Sequence, residues 1–337
     1  MKSKVDRRQI LKIAAALVLA NGLSAGLVHA DEVVGKPESG EFKLGSTPWL
    51  GAGLWEVADK NDLYTRQGLE AVNIAYFSLD SDMNAALAAG QLDAGVLATQ
   101  TALNFLAAGL PIKIVALLDA STTADAIVSD GSVKTISDLK GKKVAYEEGS
   151  TSEILLSFAL SRHGMTLADV EKVPMPAADA GAALVAGQVP VAVTYEPYLT
   201  VAAQQNSAVQ TLFTAGENPG LISDVLVVRN EVIAERPGQI AAMIKAWDAA
   251  YKLYHADTKA SRAIIAKAEG VEPEELETAF DGVIYYSAAD NKAQLEGDFL
   301  QKGLPEVMKA AQQAGLVQQD VDMSGAIDAR FANVAAQ

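Results

Sequence analysis

Two α/β lobes facing each other across a cleft are the fold class this sequence predicts, and three observations predict it. The first is an internal repeat. Residues 85–91 read AALAAGQ and residues 182–188 read AALVAGQ, so Gly90 and Gly187 stand 97 positions apart. Asp82 and Asp179 precede the copies at the same spacing, and Val96 and Val193 follow them. The second is an upstream echo, FKLGST at 42–47 and VAYEEGST at 144–151, each an apolar run ending in Gly-Ser-Thr. The third is length: residues 31–337 suit two lobes of ordinary size. A cleft between such lobes is a favoured place to hold a small molecule.

Residues 1–30 read as an export signal. Lys2, Lys4, Arg7, Arg8 and Lys12 form a basic segment, 13–28 is apolar apart from Asn21 and Ser24, and Val28-His29-Ala30 is a small-x-small cleavage site. The run is too short and too rich in Gly and Ala for a stable membrane span. Asp6-Arg7-Arg8-Gln9-Ile10 also matches the twin-arginine export pattern, with Asp in the usual Ser/Thr place and Ile for Phe. Gly22-Leu23-Ser24-Ala25-Gly26 fits the nucleophile-elbow pattern but lies inside this segment, so it carries no chemistry.

Strand one is expected over 41–44, a loop over 45–51, a helix over 54–67 stopped by Gly68, and strand two over 69–77. Asp80-Ser81-Asp82 is expected to cap a helix over 83–89. A strand over 94–98, a helix over 101–108 and a buried strand over 112–118 follow, the last from its unbroken apolar run. Residues 124–128 read as one more strand of lobe one, and the first crossing between lobes is expected at 129–132. Lobe two should hold a capped turn at 137–141, strands at 143–146, 172–174 and 211–213, a helix at 151–163 and the repeated helix–strand unit over 179–195. A strand over 224–228 then returns to lobe one. The assignment is therefore 1–30 signal, 41–128 plus 225–337 lobe one, and 133–220 lobe two. Ile240, Met243, Ile244, Trp247, Tyr251 and Tyr254 recur at helical spacing over 237–255. Helices are also expected at 258–268, from Pro273 onward, and as a pair over 291–314, with the tail after Ser324 packing only partly.

Composition excludes several classes. The chain has no Cys, which removes a lipid-anchored cysteine, disulfides and thiolate metal sites. Its three His (His29, His163, His255) lack metal-ligand spacing. Beyond residue 30 there are 22 Lys+Arg against 41 Asp+Glu, a surface that repels nucleic acid and anionic lipid. No cofactor, metal or catalytic residue is expected, and no membrane span.

Specific stretches resemble a known family. STPW after strand one, then FSLDSDMNAALAAGQLDAGV, GLPIKIVALLDASTTADAIV, ISDLKGKKVAYEEGSTSEILL, AGQVPVAVTYEPYL and PGLISDVLVVR are similar, in order, to the substrate-binding proteins of ABC importers, the nitrate/sulfonate/taurine type. LKGKKVA-x-EGS and AVTYEPYL are the most specific parts. The resemblance implies a periplasmic-binding-protein-like (type II) fold with two crossing segments. It also implies a monomer in the periplasm, free of covalent chemistry, that hands a small-molecule ligand to an inner-membrane ABC permease with its ATPase. Relatives with acidic loops of this kind are linked to urea- or guanidine-type nitrogen metabolism.

Ligands of open α/β sheets sit beyond the carboxyl ends of the strands. That rule selects Thr47 and Trp49 after strand one, Asp80 after strand two, Thr99 after the first repeat, Asp125 at the crossing, Glu148 and Ser150 in the Gly-Ser-Thr loop, Glu196 after the second repeat, and Asp224 at the return. These loops carry Asp80, Asp125, Glu147, Glu148, Glu196 and Asp224 but no Lys or Arg. An unpaired carboxylate in a dry cleft is costly, and a cationic ligand rich in N–H groups removes that cost. Trp49 offers a flat face to such a cation. The expected ligand is therefore a small nitrogen-rich cation, guanidine-like or an amine. Sulfonate, taurine or nitrate, held by hydroxyls and helix N-termini, is the alternative. A pyrimidine-precursor enzyme of the same shape would need a nucleophile–base pair or a Cys/His cluster, and neither is present.

Overall fold

The computed structural model describes residues 34–337, and the export signal expected over 1–30 lies outside them. In chain order the strands are β1 (Glu41–Ser46), β2 (Ala71–Tyr76), β3 (Ala94–Ala98), β4 (Ile112–Ser121), β5 (Asp125–Ser129), β6 (Lys143–Tyr146), β7 (Glu171–Pro174), β8 (Val191–Tyr195), β9 (Gln210–Thr214), β10 (Ser223–Arg229) and β11 (Val283–Tyr285). They form two sheets, ordered β11-β4-β10-β3-β1-β2 and β7-β6-β8-β5-β9. In each sheet the parallel strands are joined by helices, as parallel pairing requires, and successive helices pack into different cores on the two faces.

The repeat is visible at the level of elements. The helix Asp80–Ala88 and β3 recur 97 positions later as the helix Ala177–Val185 and β8. The strand orders correspond: β2-β1-β3-β10-β4 in one sheet matches β7-β6-β8-β5-β9 in the other. In each, the antiparallel strand beside the last parallel one is contributed by chain arriving from the other sheet. β10 runs antiparallel to β3, and β5 runs antiparallel to β8.

Strand β5 corrects the expected crossing. It pairs with β8 and β9 rather than with the first sheet, so the chain changes sheet at 122–124, before this strand and not after it. The polar stretch 129–132 is a turn within the second lobe: Ser129 Oγ donates to the Val133 carbonyl at 2.7 Å and Asp130 accepts from Ser132. Polar residues surround this crossing too, Ser121, Thr122, Thr123 and Asp125, so two polar stretches competed for the crossing and strand pairing chose between them.

Other boundaries shift for local reasons. The helix expected over 54–67 is two, Leu54–Lys60 and Leu63–Arg66, because Asp62 turns left-handed at φ 56° and Asn61 caps the first by donating to the Val57 carbonyl. Only a single 3-10 turn forms at Pro273–Glu275. An unexpected edge strand, β11, pairs with the end of β4. Asn291 sits against an irregularity in the β4–β10 ladder and supplies the missing partners, accepting from Leu117 N at 2.6 Å and donating to its carbonyl at 2.8 Å.

The long helix Pro237–Ala256 covers the outer face of the first sheet, where Trp247 meets Trp55 with ring centroids 4.7 Å apart. The tail also departs from expectation. The helix Arg330–Ala335 packs against Pro237–Ala256 with Phe331 and Ala332 fully buried. Removing a buried aromatic ring leaves both lost transfer energy and a cavity. Phe331→Ala is expected to lower unfolding free energy by about 3–5 kcal/mol, and urea unfolding that shows a loss below about 1 kcal/mol would make this tail peripheral.

Candidate functional site

Both sheets present the carboxyl ends of their parallel strands to one cavity of ≈ 40 Å³. Thr47 and Trp49 line it from the loop after β1, Asp80 and Asn84 from the helix Asp80–Ala88, Ala98 and Thr101 from the end of β3, Asp125 and Asp224 from the starts of β5 and β10, and Thr151 and Tyr195 from the second lobe. Among the described residues, no Lys, Arg or His lines it.

Trp49 is the best-anchored of these. Its backbone N donates to Glu269 Oε1 at 3.1 Å and its indole Nε1 to Asp119 Oδ1 at 3.1 Å. Its ring meets Tyr195 edge-on at 5.7 Å. Gly51 makes this possible, since a Cβ there would lie 2.1 Å from Trp49 Nε1 and 2.4 Å from Asp119 Cγ. Asp119 ends the apolar run of β4 and is cross-strand partner to Asp224. Neither Asp119 nor Glu269 was selected from the sequence. Asp119 could have been noticed as an acid closing a buried strand, whereas Glu269 belongs to a helix 220 positions from Trp49 and left no local signal.

The selected residues divide. Thr47, Trp49, Asp80, Asp125 and Asp224 come together at the cavity. Thr99 is buried beside it, but its hydroxyl is occupied by the Ser223 carbonyl at 3.0 Å and the Ser223 hydroxyl at 2.8 Å, a clasp between β3 and β10. Ser150 caps the helix Thr151–Ser161, accepting from Ser152 N at 3.1 Å. Both Glu196 oxygens accept from Thr200, one from its N–H and one from its hydroxyl, each at 3.0 Å. Glu148 corrects the expectation for its loop. It is exposed and pairs with Lys172 at 3.5 Å, while the preceding Glu147, just past the end of β6, is half-buried and accepts from Ala177 N at 3.2 Å. Asp80 is likewise not a cap: it is the first helical residue and no side-chain cap bond forms there.

The acids are under electrostatic strain. Burial pushes Asp125 up to about 7, opposed by the Ser121 hydroxyl and reinforced by the Glu196 charge. Burial pushes Asp119 to about 7 as well, with the Trp49 N–H working against it. Asp224 is raised well above the usual carboxylate range by burial and then by Asp119, Asp125 and Asp80. Burial lifts Glu147 to about 7, helped by Asp80, and lifts Glu269 to about 7. Asp80 rises by burial while Thr47 pulls it down. Asp125 Oδ2, Asp119 Oδ2 and Asn84 Oδ1 have no hydrogen-bond partner among the described residues. Of these, Asp125 and Asn84 line the cavity, where N–H groups of a ligand could reach them.

The chain's likeness to known proteins points to one family. A family model described as NMT1/THI5 like matches residues 54–261. A Brucella abortus protein named as a binding protein is 28% identical over 232 residues, 68% of this chain and 72% of that one. An Escherichia coli protein named for binding aliphatic sulfonates is 32% identical over 131 residues, 38% of this chain and 41% of that one. Among solved structures, the alkanesulfonate-binding protein SsuA of Xanthomonas axonopodis pv. citri, bound to MOPS, aligns with a TM-score of 0.71 at 19% identity, covering 88% of this chain and 100% of that one. The periplasmic nitrate-binding protein NrtA of Synechocystis PCC 6803 aligns with a TM-score of 0.65 at 15% identity over 90% of each. At these identities the structural likeness establishes the fold.

A carboxyl whose folded pKa lies above its unfolded value binds more protons when folded, so stability falls as pH rises through the window between the two, here from about 4 to about 7. Asp125→Asn removes one such group. At pH 8 the empty variant is expected to be more stable than the wild type by about 2–4 kcal/mol, with the gap closing toward pH 4; denaturation across this range checks it, and a variant destabilised at pH 8 contradicts it.

Proposed function

The chain belongs to the NMT1/THI5-like family, and from that premise we propose that it is an exported solute-binding protein of an ABC importer whose cleft captures a small nitrogen-rich cation. The two lobes close on the solute, and the loaded protein delivers it to an inner-membrane permease. Export to the periplasm, by the general or the twin-arginine route, is part of the same reading. No covalent step is required.

One observation carries the ligand class. Asp125 is 3% exposed, faces the cavity and has an oxygen without a hydrogen-bond partner among the described residues, while no basic side chain lines the site. A cation restores what burial removed from the acids, and its N–H groups meet the unfilled acceptors. An anion would add its charge to Asp80, Asp125 and Asp224 in a low-dielectric space. A second reading rests on the relatives named for sulfonate and nitrate. It would use the Thr47, Thr101 and Thr151 hydroxyls and the amino end of the helix Asp80–Ala88.

Isothermal titration with guanidinium chloride, methylammonium chloride, taurine, ethanesulfonate and sodium nitrate separates the two. Saturable heat from a cation, at least tenfold tighter than from any anion, is the expected outcome. Tight binding of nitrate or ethanesulfonate with no response to either cation would replace this ligand class with the second.

A further inference from the structure

Within the cation reading, on which this rests, we propose that the solute is a planar cation with N–H donors on two edges, an amidinium or guanidinium ion, held between Asp125 and Asp224. The internal duplication makes these two residues equivalent. Asp125 opens β5 and is the cross-strand partner of Tyr195, the last residue of β8. Asp224 lies at the start of β10 and is the cross-strand partner of Ala98, the last residue of β3. Ala98 and Tyr195 are separated by the same 97 positions as the repeat. β10 and β5 also hold the same place in the two sheet orders. One carboxylate therefore stands just after each passage between the sheets, and both line the one cavity.

The fit to a planar ion comes from four features. Asp125 is almost fully buried with Oδ2 unpartnered, so it is aimed at something the described residues do not supply. No hydrogen bond to the Asp224 carboxylate forms among the described residues, which leaves it open to the ligand as well. Two carboxylates on opposite sides of one guest can each accept a parallel pair of N–H bonds from a guanidinium, which a tetrahedral ammonium cannot offer twice. The ammonium is also the more strongly hydrated ion and loses more on entering a dry site. Trp49 forms part of the wall and attracts a flat cation. The cavity of ≈ 40 Å³ suits a guest of a few heavy atoms. Because each carboxylate rides on the strand that follows a crossing, a ligand bonded to both ties the two crossings together, and occupancy is read directly as closure.

The test is isothermal titration of the wild-type protein and of Asp125→Asn and Asp224→Asn with guanidinium, acetamidinium, methylammonium and neutral urea, with circular dichroism confirming that each variant is folded. Guanidinium and acetamidinium are expected to bind at least tenfold tighter than methylammonium. Each variant is expected to lose at least 100-fold in guanidinium affinity, by factors within tenfold of each other. Each should also lose its preference for guanidinium over urea, a change that a merely structural role would not produce. Equal affinity for methylammonium, one folded variant that retains wild-type guanidinium binding, or no binding of any of the four probes would overturn the paired site. Methylammonium binding alone would leave the cation reading standing, whereas a response only to taurine or nitrate would remove both.

Discussion

A carboxylate stripped of water and given no cation raises the energy of the state that holds it, and this molecule places several such groups around one small cavity. Asp119, Asp125 and Asp224 flank the two passages between the sheets, Asp80 lines the same cavity, and Glu147 feels the Asp80 charge. Burial is the largest cause of the upward shift in each of them. Replacing any one by an apolar residue of similar size would relieve the empty protein. Among the described residues no basic side chain lines this site, so the empty cleft leaves the acids without a counter-charge.

The backbone puts them there. In each sheet the carboxyl ends of the parallel strands and the amino end of the arriving antiparallel strand meet at one edge. Asp224 and Asp125 occupy the first residues after a change of sheet, where chain geometry is shared by both lobes. Thr99 and Ser223 clasp β3 to β10, Ser121 Oγ accepts from Asp125 N at 2.9 Å, and Glu196 N donates to the Ala124 carbonyl at 2.9 Å. The backbone beside the acids is thus held by hydrogen bonds of its own, while Asp125 Oδ2 and Asp119 Oδ2 keep no partner among the described residues. Trp49, locked by Glu269, Asp119 and the space left by Gly51, completes a wall that cannot move independently of the acids.

The fold is shared with proteins named for sulfonate and nitrate binding, yet the lining here is acidic. A two-lobed scaffold supplies a closing cleft and helix ends, while the charge of the guest is decided by a few side chains at strand termini. Hydroxyls and backbone N–H groups can serve either sign of ligand. Unpartnered carboxylate oxygens serve only one.

Much of this was legible in the chain. The repeat around Gly90 and Gly187 announced duplicated helix–strand units because identical neighbours along the sequence fold alike, and the apolar runs of β3, β4, β8 and β10 identified buried strands by hydrophobicity alone. Asp80, Asp125 and Asp224 followed from the rule that ligands gather beyond strand ends. Tertiary structure decided the rest. It assigned β5 to the second sheet, since pairing partners 62 to 88 positions away leave no trace in local composition. It exchanged Glu148 for Glu147, which accepts from Ala177 N 30 positions away, a contact that two adjacent glutamates cannot reveal. It occupied Glu196 with Thr200, and it brought Glu269 to Trp49 across 220 positions. Local pattern determines which segments form and which are buried; contacts between distant segments determine which polar atoms are left without a partner.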